Sequence, residues 1–361
     1  MNTRFSLLAF LCLLLVSCGT AKKGQQDAQP AVAIEFNADS AYAFCAAQCD
    51  FGPRIMNSTA HDRCAEWVGS KFRQYGYEVN FQKADLRGYD GTILRATNII
   101  ALAPAAVSAA SASPSAAVSA ASASPSAAVS AASPADTPAS PRPRILICAH
   151  WDSRPWADND PDSANWRKPV LAANDGASGV AVMLELARIL QQHDSARVAV
   201  DFVCFDAEDW GVPQWSDRVD ADSWALGAQY WASTLASQSS PLTSQYAILL
   251  DMVGGQGAKF YREGYSMQHA AAIVEKVWQA AAAAGYGSFF PQQDGSYVTD
   301  DHVPVNEKAH IPCINIINHY PDCAQSSFGP TWHTVSDDMQ HIDRNTLKAV
   351  GQTLVQLIFT E

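Results

Sequence analysis

Acids and imidazoles recur in this 361-residue chain at the points where apolar runs end. ILICAHWDS closes on His150 and Asp152, LAANDGASG carries Asp175, and VDFVCFDAED closes on Glu208 and Asp209. AILLDMVGG carries Asp251, and PTWHTVSDD carries His333. Strands that terminate in such groups align them along the carboxyl edge of a sheet, where open α/β sheets take their ligands. Two carboxylates and a neutral imidazole balance the charge of Zn²⁺ and leave its fourth position open, the mark of a catalytic rather than a structural zinc. The Glu208–Asp209 pair is the most telling. Adjacent carboxylates at a buried strand end repel each other unless a cation or a proton compensates. One acid on the metal, with its neighbour free as a base, meets that need.

Singly, the other residues have plainer readings. Asp175 directly precedes a helical pattern and, alone, reads better as an N-cap. Asp251 could serve a turn before Val-Gly-Gly, and an isolated His333 would be a core histidine. Their occurrence in one ordered set favours the metal.

The elements that must position these groups alternate along the chain. Helical patterns run over DSAYAFCAAQCDFG, over AHDRCAEWVGSKFRQYGYEV with its close at Gly76, and over ASGVAVMLELARILQQ. DSWALGAQYWASTLA and YSMQHAAAIVEKVWQAAAAAG follow, and a last helix, DRNTLKAVGQTLVQLIF, takes Asp343 as its N-cap. TNIIALAP, PRPRILICA and IPCINII read as strands. This alternation predicts an α/β fold, a mostly parallel sheet covered by helices on both faces. Residues 35–361 are expected to form one domain. Between about 104 and 143 the unit AAVSAASASPS recurs, and Ala, Ser and Pro without apolar periodicity predict a disordered surface insert joining two strands.

Hydrophobic residues make up 48% of the chain, enough for a sizeable core, and the formal net charge of −12 argues against nucleic acid as a partner. Residues 1–17 read as a signal peptide: Arg4 precedes SLLAFLCLLLV, which is too short to span a bilayer comfortably. The segment closes in LVSCGT, similar to the bacterial lipoprotein box, which makes Cys18 the lipidated mature N-terminus. An ordinary secretory signal with an incidental cysteine is the alternative. Either way the chain is expected to leave the cytoplasm for the cell envelope, with residues 18–34 as a flexible tether. Cys148, Cys204 and Cys313 lie in strand-like runs and read as buried thiols rather than ligands. Pairing among Cys45, Cys49, Cys64 and Cys323 stays open.

In order and spacing, HWDS, ANDGASG, the strand ending in paired acids, LLDMVG and WHT resemble the M28-type zinc aminopeptidases and their relatives, the glutaminyl cyclases. The resemblance covers nearly the whole mature chain apart from the Ala/Ser insert. It implies a single-domain α/β fold with a central twisted mixed sheet and one catalytic zinc per chain. By position it implies Asp175, Asp209 and His333 as zinc ligands and Glu208 as general acid/base. Asp251 and Asp300 match acids of a hydrogen-bond network beside the substrate, and Trp332, with Trp210, the aromatic lining of the pocket. Where the family often has a second Glu this chain has Asp209, and where the animal cyclases have a His it has Asn315, which leaves one expected hydrogen bond open.

The cyclase branch converts N-terminal glutamine to pyroglutamate with release of ammonia. The competing reading is a two-zinc aminopeptidase, for which His150 and Asp251, with Asp152 behind them, stand where a second metal would bind. Asp300 in TDDHVPV, Trp332 before His333 and the Trp-rich EDWGVPQWSD favour the cyclase. A binding module with a defunct site is the third reading. The expected partners are peptides or proteins with N-terminal Gln and, through Cys18, a membrane; the chain itself is expected to be a monomer.

Overall fold

A computed structural model describes residues 30–104, 142–237 and 244–361 of the chain. Its sheet has six strands: β1 (Glu78–Arg87), β2 (Ile93–Leu102), β3 (Arg144–His150), β4 (Ala199–Phe205), β5 (Ser244–Asp251) and β6 (Cys313–Ile317). They lie in the order β1-β2-β4-β3-β5-β6. β4, β3, β5 and β6 run parallel, whereas β2 is antiparallel to both β1 and β4. The sheet is mixed, and the strand ends that carry the chemistry belong to its parallel part. Seven helices accompany it among the described residues: α1 (Ala38–Cys49), α2 (Thr59–Gln74), α3 (Ala177–Gln192), α4 (Leu226–Ser237), α5 (Gly264–Ala283), α6 (His302–Glu307) and α7 (Arg344–Thr360).

The inner strands alternate their side chains between two cores. In β3, Ile145, Ile147 and Ala149 join the larger core with α1, α2, α3, α5 and α7, while Leu146 and Cys148 face the smaller one with α4 and α6. Burying each of the Ile and Leu side chains is worth about 1.5–3 kcal/mol. A slip of one residue would exchange the two faces, so the register that sets the site is firmly specified.

The helical pattern quoted over residues 60–79 closes at Gly76, as the sequence predicts, and its last residues belong to the sheet. α2 stops at Gln74, Gly76 turns with φ 87°, and Glu78 opens β1. As an edge strand, EVNFQKADLR is half exposed and carries charges that discourage pairing with other chains. It therefore lacks the apolar run that marks the inner strands. β2 and β3, on either side of the insert, share the sheet but are separated by β4. A clasp closes the ends of that connection: Ala103 N donates to Asp201, and Arg144 donates to both Asp201 and the Ala103 carbonyl. The clasp sits where β3 and β4 begin, at the end of the sheet opposite the acids.

α3 shows why DGASG precedes it. Gly176 holds the N-cap position with φ 106° and no side-chain cap. Asp175 is therefore not the N-cap, and its carboxylate is free for other partners. A Cβ on Gly179 would stand 2.3 Å from the Leu250 carbonyl, so only glycine lets α3 approach β5 this closely. Asp343 caps α7 through Asn345 N, as its sequence predicts. The end of the segment read as a tether is tied to α7: Val32 N donates to Gln356, and the Ile34 carbonyl accepts from Gln352. Residues 1–29, with the signal and Cys18, and residues 105–141, with the repeat, lie outside the described residues. Cys45, Cys49, Cys64, Cys148, Cys204 and Cys313 are buried free thiols, and Cys323 is free and half-buried. No helix among the described residues is long and apolar enough to cross a membrane.

Candidate metal centre and active site

β3, β4 and β5 are neighbours that end together, and each end delivers part of the site. β3 ends at His150 and β5 at Asp251. After β4 the chain passes through Ala207 at φ 52°, a left-handed turn that sets Glu208 and Asp209 beyond the strand. Asp152 holds that turn. Its two carboxylate oxygens accept from Glu208 N and Asp209 N, each at 3.1 Å. Asp152 thus sits behind the donor groups, engaged with these backbone amides and 3.4 Å from His150 Nδ1.

Asp175 is held by Asp337, which accepts from Asn174 N at 2.8 Å and from Asp175 N at 3.0 Å. His333 arrives from a loop, also with positive φ, at 53°. Its Nε2 lies 3.2 Å from Asp209 and 3.5 Å from Asp175. Its Nδ1 faces Asp158 at 3.5 Å. The Trp332 ring stacks on it at 3.8 Å, and Trp224 lies parallel to it at 6.1 Å.

One donor atom each from Asp175, Asp209 and His333 fall within 4.8 Å of one another, all three residues buried. Oδ2 of Asp175 and Oδ2 of Asp209 are buried without a hydrogen-bond partner. Orphaned oxygens beside an imidazole are what a zinc site requires, so these residues fit the ion the sequence implied. A second set, His150, Asp175 and Asp251, meets the same distance criterion and shares Asp175. There His150 Nε2 lies 3.0 Å from Asp175 and 3.3 Å from Asp251.

The electrostatics are those of crowded, buried acids. Burial pushes the Glu208 carboxyl well above the carboxylate range, against the pull of His150 and with a further push from Asp209, Asp300 and Asp301. Burial and Asp300 bring Asp251 up to about 7, with His150 opposing. Burial disfavours a charged His150, yet Asp152, Asp175 and Asp251 hold it well above the usual imidazole range. Asp300 is buried and accepts from Asn315 Nδ2 at 2.6 Å, so Asn315 supplies a bond to that acid.

Trp332 is half-buried against Phe328 and His333. Trp210 packs on the small cluster of Met56, Leu94, Ala96 and Ala207, and edge-on to Trp156. Four residues had no role in the sequence reading. Arg154 is fully buried and donates to Asp158 at 2.7 and 2.6 Å and to the Asp209 carbonyl at 3.1 Å. Asp158 backs His333, Asp337 backs Asp175, and Trp224 flanks His333 beneath the Arg154 guanidinium, 4.8 Å away. The one local signal is RPWAD, which spaces Arg154 and Asp158 four residues apart.

Comparison with known proteins places this geometry. The structure of a glutaminyl cyclase from Bacteroides thetaiotaomicron bound to N-acetylhistamine is 42% identical, with a TM-score of 0.77 over 91% of this chain and 99% of that one. A leucine aminopeptidase precursor from the same organism is 40% identical, with a TM-score of 0.76 over 92% and 99%. Among curated proteins, an aminopeptidase of Bacillus subtilis is 28% identical over 60% of this chain and 40% of its own length. The glutaminyl-peptide cyclotransferase of Bos taurus is 25% identical over 60% of this chain and 62% of its own length. The chain thus spans 40% to 62% of these two curated relatives. The model of peptidase family M28 matches residues 129–358, and the chain belongs to that family.

Proposed function

We propose that the chain is a glutaminyl-peptide cyclotransferase, converting the N-terminal glutamine of peptides or proteins to pyroglutamate with release of ammonia, with one zinc per chain. One juxtaposition carries the reading: the Asp175–Asp209–His333 donor set adjoins Glu208, and the Trp332 ring stacks on His333. Similarity over 99% of the Bacteroides thetaiotaomicron glutaminyl cyclase supports it.

Zinc on this set would polarise the γ-carbonyl of the glutamine and stabilise the negative charge that develops on its oxygen. The attacking α-amine has an ordinary pKa of ~7.7, so it needs only modest help at neutral pH. Glu208 would take the amine proton and hand it to the departing nitrogen, work typically worth ~10²–10⁴-fold. The α-nitrogen bonds the side-chain carbonyl carbon (Cδ), closing a five-membered lactam, while the bond from that carbon to the side-chain nitrogen breaks. Asp300, held by Asn315, and Asp251, held by His150, would steady that nitrogen as it becomes ammonia. Trp332 would flank the folded side chain and keep out the water that would give hydrolysis.

A two-zinc aminopeptidase is the second reading, favoured by the His150–Asp175–Asp251 set and by the similarity to the leucine aminopeptidase precursor. Purified protein should release ammonia from a Gln-initiated peptide, stop when a chelator is added, and contain one zinc. Two zinc ions with release of free amino acids would replace the cyclase by the peptidase. On LVSCGT, the chain is further proposed to be a lipoprotein of the cell envelope, anchored through Cys18. Labelled fatty acid should enter the native chain and not Cys18→Ala; equal labelling would remove the anchor.

A further inference from the structure

Arg54 stands outside every motif that points to the site, in the segment between α1 and α2, and its side chain is fully buried. Burying a guanidinium is costly unless it is paired. Arg54 nevertheless forms no ion pair at hydrogen-bond distance among the described residues, and its Nε lacks a partner. Its two terminal nitrogens instead donate to consecutive carbonyls, Nη1 to Leu171 and Nη2 to Ala172, the latter at 2.7 Å. Ala172 itself sits at φ 58°, a conformation that alanine adopts only under restraint.

The backbone of Arg54 is tied as well. Its N–H donates to Ser153 Oγ at 3.0 Å, and its carbonyl accepts from Ser153 N at 3.1 Å. One residue therefore bridges two loops. Asp152, next to Ser153, holds the amides of Glu208 and Asp209; Leu171 and Ala172 lead directly into Asp175. The loops also meet at Gly176, where a Cβ would stand 2.6 Å from the Asp152 carbonyl and 3.6 Å from Arg54 Nη2. A cation at this joint also acts on Asp337, the carboxylate that holds the Asp175 amide.

We propose that Arg54 is a positioning residue of the zinc site, tying the turn at Asp152–Ser153 to the carbonyls of Leu171–Ala172 and so fixing Asp175 relative to Asp209. The inference rests on the reading of Asp175, Asp209 and His333 as a zinc set, but not on the cyclisation itself. Residues that orient metal ligands from behind typically change metal affinity about 10–100-fold when lost. Lysine keeps the charge but has no planar fork to span two carbonyls.

Zinc dissociation constants, from chelator competition, and the melting temperatures of zinc-free and zinc-loaded protein test it. Arg54→Met should weaken zinc binding about 10–100-fold and shrink the zinc-induced rise in melting temperature. Arg54→Lys should recover part of both. A lower melting temperature for the zinc-free variants with an unchanged zinc dissociation constant would overturn the proposal, leaving Arg54 a role in packing alone. Should neither variant fold, hydrogen exchange on the native chain decides. By reciprocity of linkage, removing zinc should speed exchange in residues 50–58 together with residues 171–176. Unaltered exchange in residues 50–58 would overturn it. Native protein that takes up no zinc would overturn the metal site, and this inference with it. Native protein that binds zinc but leaves Gln-peptides unchanged would overturn only the cyclase reading.

Discussion

The Asp158 carboxylate stands 3.5 Å from Nδ1 of His333 while Arg154 grips it with hydrogen bonds of 2.7 and 2.6 Å. Arg154 and His333 hold that carboxyl well below its usual range despite its burial. The imidazole is thereby steered with Nε2 toward Asp175 and Asp209. A carboxylate on the far nitrogen of a ligand histidine fixes its orientation and raises its basicity. Asp158→Asn is expected to weaken zinc binding by about 10–100-fold. Chelator competition measures this, and equal affinities in native and variant protein would dismiss the orienting role.

Glu208 and His333 should part company under mutation. Glu208→Gln keeps the shape of the turn that Asp152 holds but cannot carry a proton, so it should retain zinc and lose about 10²–10⁴-fold in kcat. His333→Ala should lose zinc and turnover together. Metal content and ammonia release on the two variants check this, and a Glu208→Gln protein with native turnover would remove Glu208 as the base.

Gly179→Ala tests the approach of α3 to β5. In an open helix the change would stabilise by about 1 kcal/mol. Here the new Cβ would sit 2.3 Å from the Leu250 carbonyl and 2.8 Å from the Ala149 side chain, and a backbone oxygen in a central strand cannot swing away. Overpacking of this kind costs about 1–3 kcal/mol and should decide the sign. The urea midpoint should fall with an unchanged m-value; a rise would mean the sheet yields.

A pH-dependent share of stability lies away from the metal. Burial would raise Glu263, but a 3.0 Å contact with His302 and bonds from Ser266 bring it from 4.5 down to about 2. Because the folded value is depressed, the contribution is complete above pH about 4.5 and is lost as pH falls toward about 2. A shift of that size corresponds to about 3 kcal/mol. In zinc-free protein, the stability gap between native and Glu263→Gln should narrow across that window. A gap that stays constant would show that Glu263 acts by packing.

Asp209 was legible because it follows an apolar run that becomes a parallel strand, and parallel strands bring such ends to one edge. Asp175 sits in the turn before α3 and was legible from its place in the ordered set. His333, which also arrives outside the strands on a loop, was found the same way. The supports were not legible. Asp152 read as a second-metal or supporting residue, but its actual partners, two amides more than fifty residues away, could not be named. Contacts to backbone across such separations leave no local pattern, and the same holds for Asp337 and Arg54. β1 was hidden because an edge strand needs no apolar run, and its first residues continued the helical pattern of α2. That β4 inserts between β2 and β3 follows from register alone, which no single segment encodes.

The Arg144–Asp201–Ala103 clasp has a practical consequence. It pins the points where residues 105–141 leave and rejoin the sheet, on the side remote from Glu208 and His333. Loop length costs stability only logarithmically. A fluorescent reporter, an affinity handle or a short Gly-Ser bridge spliced between those two pinned points would therefore enter and leave the sheet at the end remote from the acids.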